Sequence, residues 1–374
     1  MFDGKPENLV NLSCSIQNYY GIKPSHATLT QVDGILYHKH KHIVVIILSG
    51  IGMSILEKHL SYRDFLRRRL LTDYSSVFPS STQANILSFF SGKNPVEQGL
   101  FSDGNDTLSA NTTQNLFDCL LDSAENLINQ INKKGTAKAY GIFSYGNNSY
   151  QNLYDWTKDI KKTLASDEKT FTCAFWEQAD LIIREFGENS NEAEKAVRDL
   201  NAALLALCEA SKDTLFLITS DHGNTSIQNV FFEDDYPDFA EMLERPVGME
   251  ARALNLFVKD ECKEVFSEKF KEHFGDDYQL FTREEAIKNE LFGDSFSKEN
   301  HKLIGDFVAA ALSSKTIIKN KEQKQSRSLS GGLTKAEMKI PLIWYETKIK
   351  RAWMVVYYSI IGLLVAFLIF ILVH

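Results

Sequence analysis

The sequence predicts an α/β protein with a doubly wound, mainly parallel central sheet flanked by helices. Three observations predict it. Short continuous apolar runs, at residues 42–48, 170–176 and 214–219, are rich in β-branched and aromatic residues and have the length of strands covered on both faces. Stretches of helical periodicity lie between them, the clearest from about Asn191 to Ala210. The runs also stop on small or acidic residues, Ser49-Gly50-Ile51-Gly52 after the first and Ser220-Asp221-His222-Gly223-Asn224 after the third. That is the edge at which open α/β sheets keep their sites.

Residues 1–40 are polar and mixed, with Pro24 and Gly34, and read as an N-terminal arm ahead of an α/β domain over 41–346. His42 to Leu48 is the first strand, Ser49 to Gly52 a turn, and Met53 to Leu60 the start of a helix, which together open a βαβ unit. Tyr74 to Pro79 reads as a short strand or loop leading to Ser80-Ser81-Thr82, and Ala84 to Ser91 as a helix closed by Gly92. Ala137 to Phe143 and Thr170 to Trp176 are further strands. After Asn224 the pattern loosens. Arg252 to Lys259 is expected as a strand, Lys263 to Phe274 and Arg283 to Leu291 as amphipathic helices, and Lys339 to Tyr345 as a last strand. Lys315 to Leu329, rich in Lys, Gln and Ser, is expected as an exposed loop. Insertions over the site edge are expected near 102–131 and 224–247, and acidic, aromatic Phe231 to Tyr236 as a solvated loop or a docking surface.

With 374 residues, 44% hydrophobic and 24% charged, the chain can bury a full core. A net charge of -8 argues against a general nucleic-acid binder, which would present a basic face and a high pI. The five cysteines are widely spaced without a CxxC pair and read as thiols of a reducing compartment. The start carries no secretory signal pattern, so the five Asn-x-Ser/Thr triplets are given no weight. From Ala352 to Val373 the sequence holds no charge and is long enough to cross a hydrocarbon core of about 30 Å. A tail anchor at 352–374 is therefore expected, preceded by a basic juxtamembrane segment at 347–351. Lys348, Lys350 and Arg351 before the span place the large domain on the cytoplasmic side, and Trp353, Tyr357 and Tyr358 suit the interfacial belt.

The chemistry concentrates in three motifs: a strand ending in Ser49-Gly50-Ile51-Gly52, the turn Pro79-Ser80-Ser81-Thr82 before a helix, and a strand ending in Asp221-His222-Gly223. The adjacent Asp221 and His222 are two good divalent-metal ligands. Ser80-Ser81-Thr82 is also a serviceable helix cap, and Arg184 four residues after Asp180 is also an ordinary surface pair. Phe78 to Asn85, Ser91 to Gly99 and the late stretch from Gly331 to Ile343 complete the set. In this order, over roughly residues 40–345, the chain resembles the alkaline phosphatase superfamily and within it the type I phosphodiesterase/nucleotide pyrophosphatase branch.

The resemblance implies a Thr or Ser nucleophile bridged to the phosphoryl group by two zinc-type ions, which six side chains hold. It assigns the nucleophile to Thr82 and phosphate binding to Asn85, and keeps the ligands Asp180, Asp221 and His222. The other three ligand positions carry Ser49, Arg184 and Ser330 where the family has Asp, His and His, and Gln98 replaces a usual His. One carboxylate cannot hold a transition-metal ion at the Asp180 half, since tight sites use three or four protein ligands. The expected complement is thus no metal, or one weakly held Zn or Mn at Asp221 and His222. Three readings follow from the resemblance: a membrane-anchored pseudoenzyme that binds or scaffolds, an active hydrolase with one ion and Thr82 as nucleophile, and a phospho-ligand sensor using Arg184, Thr82 and Asn85. Expected partners are the membrane, and a protein or a phosphate-containing ligand.

Overall fold

The computed structural model describes residues 7–99, 123–145, 150–294, 300–318, 321 and 326–347. A mixed six-stranded sheet forms the centre. Its strands are β1 (His42–Leu48), β2 (Leu70–Ser75), β3 (Lys138–Ser144), β4 (Thr170–Trp176) and β5 (Thr214–Thr219), completed near the end of the described chain by Lys339–Glu346. β3, β4, β1 and β5 are parallel neighbours in that order; the last strand runs antiparallel between β5 and β2.

The register accounts for the unbroken apolar runs. In β1, Ile43, Val45 and Ile47 enter one core, and Val44, Ile46 and Leu48 enter the other. Each face is covered, so alternation with polar residues is lost. The helices Leu9–Tyr19, Thr30–Leu36, Thr82–Ser91 and Leu127–Lys134 supply residues to the first core. Met53–His59, Leu153–Thr163, Gln178–Phe186 and Asn191–Glu209 supply the second.

The stretch read as a lead-in arm is thus partly core. Leu9, Leu12 and Ile16 are buried on a helix capped by Asn8, whose side chain accepts from the Val10 amide at 2.8 Å. Ser13, Ser15 and Gln17 are buried on the same helix, and these polar residues inside the core had masked it.

A second lobe stands over the site edge, between β5 and the last central strand. Here β6 (Thr225–Ser226), β7 (Gln228–Phe231), β8 (Gly248–Glu250), β9 (Ala253–Leu256), β10 (Tyr278–Thr282), β11 (Phe307–Ala311), β12 (Lys315–Ile318) and β13 (Ser328–Leu329) precede the closing strand, which is β14. β10-β11-β9-β8 is an antiparallel sheet, and the helix Lys263–Phe274 lays Phe266, Phe270 and Phe274 into its aromatic core. Two expectations are corrected. Lys315 to Leu329 is not simply an exposed loop: β12 pairs with β7, and Thr316, Ile317 and Ile318 are buried. A β-branched triplet was hidden there among charged neighbours. The segment from Phe231 to Tyr236 is likewise no simple solvated loop, because Phe232 is buried against Phe239.

The region expected as an insertion at 102–131 lies outside the described residues up to 122, and the basic and apolar segment from 348 to 374 lies outside them entirely. Among the described residues no helix is long and apolar enough to cross a membrane.

Candidate functional site

Four elements bring the residues singled out from sequence to one place at the C-terminal edge of the parallel strands. Ser49 follows β1, Asp180 and Arg184 lie on the helix after β4, Asp221 and His222 follow β5, and Thr82 opens the helix after β2. Ser81, not Thr82, is the cap of that helix, accepting from the Ala84 amide at 3.5 Å. The Thr82 hydroxyl is therefore free of capping and lies 3.0 Å from His222 Nε2 and 3.2 Å from Ser49 Oγ. Asn85 is fully buried and braces the turn: its Oδ1 accepts from the Val77 amide at 2.8 Å, and its Nδ2 donates to the Ser81 carbonyl at 2.9 Å.

Asp221 and His222 are both fully buried. Asp221 Oδ1 accepts from the backbone amides of Gly50 at 3.0 Å and His222 at 2.7 Å, and Oδ2 accepts from Ser49 Oγ at 2.9 Å. The serine that stands where the family has a carboxylate thus donates to the remaining one. His222 Nδ1 lies 2.9 Å from the Gly223 carbonyl, which can only accept, so Nδ1 is the donor in that contact and Nε2 faces Thr82.

The other half is organised differently. Asp180 is buried; its Oδ1 accepts from Asn224 Nδ2 at 2.7 Å, and its Oδ2 forms an ion pair with the Arg184 guanidinium, whose Nε lies 2.7 Å away without the alignment of a hydrogen bond. The same guanidinium reaches Ser330, with Nη2 3.4 Å from Oγ. Arg184 therefore connects the one carboxylate of this half to the substituted late position. Gly50 permits the close packing. It has φ of +73°, and a Cβ there would stand 2.3 Å from Asp180 Oδ1 and 2.5 Å from Asn224 Nδ2.

Of the residues that sequence reasoning grouped, Ser49, Thr82, Asp221 and His222 meet in one cluster and Asp180, Arg184 and Ser330 in the other, while the side chain of Asn85 is taken up by the backbone of the turn before Thr82. Sequence reasoning missed four contributors. Asn224 was noted only as the residue after Asp-His-Gly, and an amide directly following such a strand end was the available signal. Ser80 holds the late loop, accepting from the Gly331 amide at 3.0 Å and donating to the Gly332 carbonyl at 2.9 Å. Behind that loop Arg252 and Glu337, both fully buried, form a two-pronged pair at 2.6 and 2.9 Å. Glu337 also accepts from the Gly332 amide at 2.8 Å and the Thr334 hydroxyl at 2.6 Å. No local pattern marked Arg252 as its partner, 85 positions away.

The donor set does not fit two metal ions. Among the described residues no group of three or more His, Cys, Asp or Glu gathers to hold a metal. At the Asp180 half, Asn224 Oδ1 has no donor among the described residues, yet a carboxamide oxygen added to one carboxylate still falls short of the three or four ligands of a tight site. At the other half an imidazole, a carboxylate and a hydroxyl converge, with His222 Nε2 3.5 Å from Asp221 Oδ2. That trio is the most that could hold one ion.

Comparison with known proteins agrees with the fold. Residues 43–337 match the sequence profile of the family described as type I phosphodiesterase / nucleotide pyrophosphatase. Murine ectonucleotide pyrophosphatase / phosphodiesterase 5 superposes with a TM-score of 0.60 at 16% identity, over 81% of this chain and 87% of that one. An inactive variant of the murine protein is known in complex with AMP. Phosphonoacetate hydrolase from Sinorhizobium meliloti 1021, with phosphonoformate, superposes with a TM-score of 0.59 at 13% identity, over 82% and 90% of the two chains. No curated protein matches the sequence significantly. At these identities the structural likeness speaks for the fold alone.

Proposed function

The chain belongs to the type I phosphodiesterase / nucleotide pyrophosphatase family, and from that premise we propose that it is a membrane-tethered member that has exchanged two-metal catalysis for a binding or scaffolding role. The observation that carries the proposal is the state of Asp180. A carboxylate whose oxygens meet the Arg184 guanidinium and the Asn224 amide is electrostatically satisfied without an ion. A buried acid that had merely lost its metal would be left uncompensated, at a cost of several kcal/mol.

Family members are metal-dependent, usually with two zinc ions. Such ions polarise phosphoryl oxygens and activate the attacking group. Here Ser49, Arg184 and Ser330 stand at three ligand positions. Deleting a single electrostatic contributor commonly costs about a hundred- to a thousandfold in rate, so three exchanges leave little turnover.

A second reading has its own support. Thr82, His222 and Asp221 stay in mutual contact, which suits a hydrolase using one ion. Hydrolysis of an aryl phosphodiester and an aryl phosphomonoester, with added zinc or manganese, separates the two. The proposal expects rates no higher than those of Thr82→Ala. Metal-dependent hydrolysis that vanishes in Thr82→Ala would establish the hydrolase instead. For a phospho-ligand at Arg184, the AMP complex of the murine variant makes a nucleoside monophosphate the first probe.

The tether rests on the sequence from 352 to 373. The large domain would stand on the cytoplasmic side, and the bound partner would be a protein or a phosphate-containing molecule.

A further inference from the structure

We infer that the sheet edge opposite the site is a docking face for an anionic lipid bilayer, which holds the domain with its site directed away from the membrane. The inference rests on the tether proposed above for its geometry, but on independent observations for its chemistry. The N-terminal ends of the parallel strands lie side by side in one row. The Lys138 amide bonds to the Lys169 carbonyl, the Thr170 amide to Lys41, the His42 amide to Asp213, and the Thr347 amide to Thr214, at 2.9 to 3.1 Å. Thr347, the last described residue, lies in this row. Lys339, at the other end of β14, pairs with Ser75 on the site side. The eight residues of β14 span about 26 Å at about 3.3 Å each.

The exit edge is rich in lysine. Lys138 and Lys169 sit in the row, and Lys212 stands just before β5; all three are exposed. Two helices also end there: Leu127–Lys134 contributes exposed Lys133 and Lys134 four residues before β3, and Leu153–Thr163 contributes exposed Lys161 and Lys162. Asp159, Asp167, Glu168, Glu209, Asp213 and Glu346 lie among them, with Asp159 2.6 Å from Lys162 and Asp167 3.8 Å from Lys41; against these six acids stand eight lysines, Lys41 included, so the edge is net positive.

The chain as a whole carries -8, so this is a local reversal of sign. Its negative charge is concentrated in the second lobe, where residues 225–294 hold 18 acidic against 8 basic residues. Continuity with the anchor favours a bilayer over a nucleic acid. Lys348, Lys350 and Arg351 follow directly, and four residues reach at most about 14 Å. The exit edge is thus held close to the headgroups, where basic side chains gain from an anionic leaflet. The site, about 26 Å further out, lies beyond a screening length of about 8 Å and faces a soluble partner.

The test is lysine footprinting of the full chain in vesicles of phosphatidylcholine, with or without phosphatidylserine, read by mass spectrometry alongside flotation. Protection of Lys134, Lys138, Lys161 and Lys169 in phosphatidylserine vesicles only, abolished by high salt, with Lys271 and Lys288 of the second lobe unchanged, is the expected result. The exposed-residue variant Lys133→Glu/Lys138→Glu/Lys162→Glu/Lys169→Glu should reduce the protection of the remaining lysines by at least about tenfold while still floating. A chain that floats but labels equally in both vesicles refutes the docking face and leaves the tether standing. Failure to float with neutral vesicles, together with salt-sensitive protection by phosphatidylserine, refutes the tether and upholds the face. Protection by duplex RNA but not by anionic vesicles overturns the inference in favour of nucleic acid.

Discussion

At the scale of single residues, the site is explained by what each side chain does for a neighbouring carboxylate. Arg184 and Asn224 share Asp180, and Ser49 with two backbone amides satisfies Asp221. Arg184→Ala should therefore destabilise the fold by about 1–3 kcal/mol, less than a fully buried pair because the arginine side chain is 33% exposed. Thermal unfolding of the variant against the parent chain measures it, and an unchanged midpoint would mean that Asn224 alone suffices. The triple change Ser49→Asp, Arg184→His and Ser330→His is expected to restore zinc binding, measured by calorimetry. The positions of these residues were legible in the sequence because each sits at a strand or helix end that a motif marks. The pair of Arg252 and Glu337 was not, since a side-chain contact between distant segments leaves no local pattern, and for Asn224 the only signal was its place directly after Asp-His-Gly.

At the scale of elements, five of the six central strands were legible almost to the residue, because burial on both faces gives continuous apolar runs that contain few alternatives, whereas the half-buried β2 at Leu70–Ser75 was read as a strand or loop over Tyr74 to Pro79. β12 and the helix Leu9–Tyr19 were obscured, because β12 is short and has charged neighbours and the apolar residues of the helix are interleaved with Asn, Ser and Gln, some of them buried. The second lobe depends on charge as well as on its aromatic core. Arg252→Met would leave buried Glu337 without its cation and should cost about 3–5 kcal/mol, loosening the Gly331-Gly332 loop and with it Ser330. Hydrogen exchange across residues 326–338 reads that loosening, and a native exchange pattern in the variant would reject it.

The same lobe carries an acid-sensitive contact. Burial alone would raise the Asp306 carboxyl, but hydrogen bonds from Lys263 and the Val258 amide, with the nearby charge of Arg283, outweigh it and hold the group below its ordinary range. A depressed folded value means stability that is fully present above the unfolded value near 4 and is lost as the pH falls through the folded one. Asp306→Asn should remove part of the loss of stability on acidification below about pH 4, checked by denaturant unfolding at several pH values. A pH dependence identical to the parent's would place the acid sensitivity elsewhere.

At the scale of the whole molecule, the fold and family are those of metal-dependent phosphoric ester hydrolases, while at the centre each carboxylate is matched by protein groups, Asp180 by Arg184 and Asn224 and Asp221 by Ser49 and two amides. The acidic second lobe stands on the site side and the lysine-rich edge on the side from which β14 leaves, so the charge is polarised along the strands. The legible sequence of the last twenty-odd residues supplied the expectation of an anchor; the polarity needed the register of the sheet, since its lysines come from five separate segments. The most direct test of the central claim is equilibrium dialysis of the purified full chain against zinc, with bound metal counted per chain. The account predicts at most one weakly held ion, removed by mild chelation with no change in the thermal midpoint. Two tightly held zinc ions per chain would contradict it.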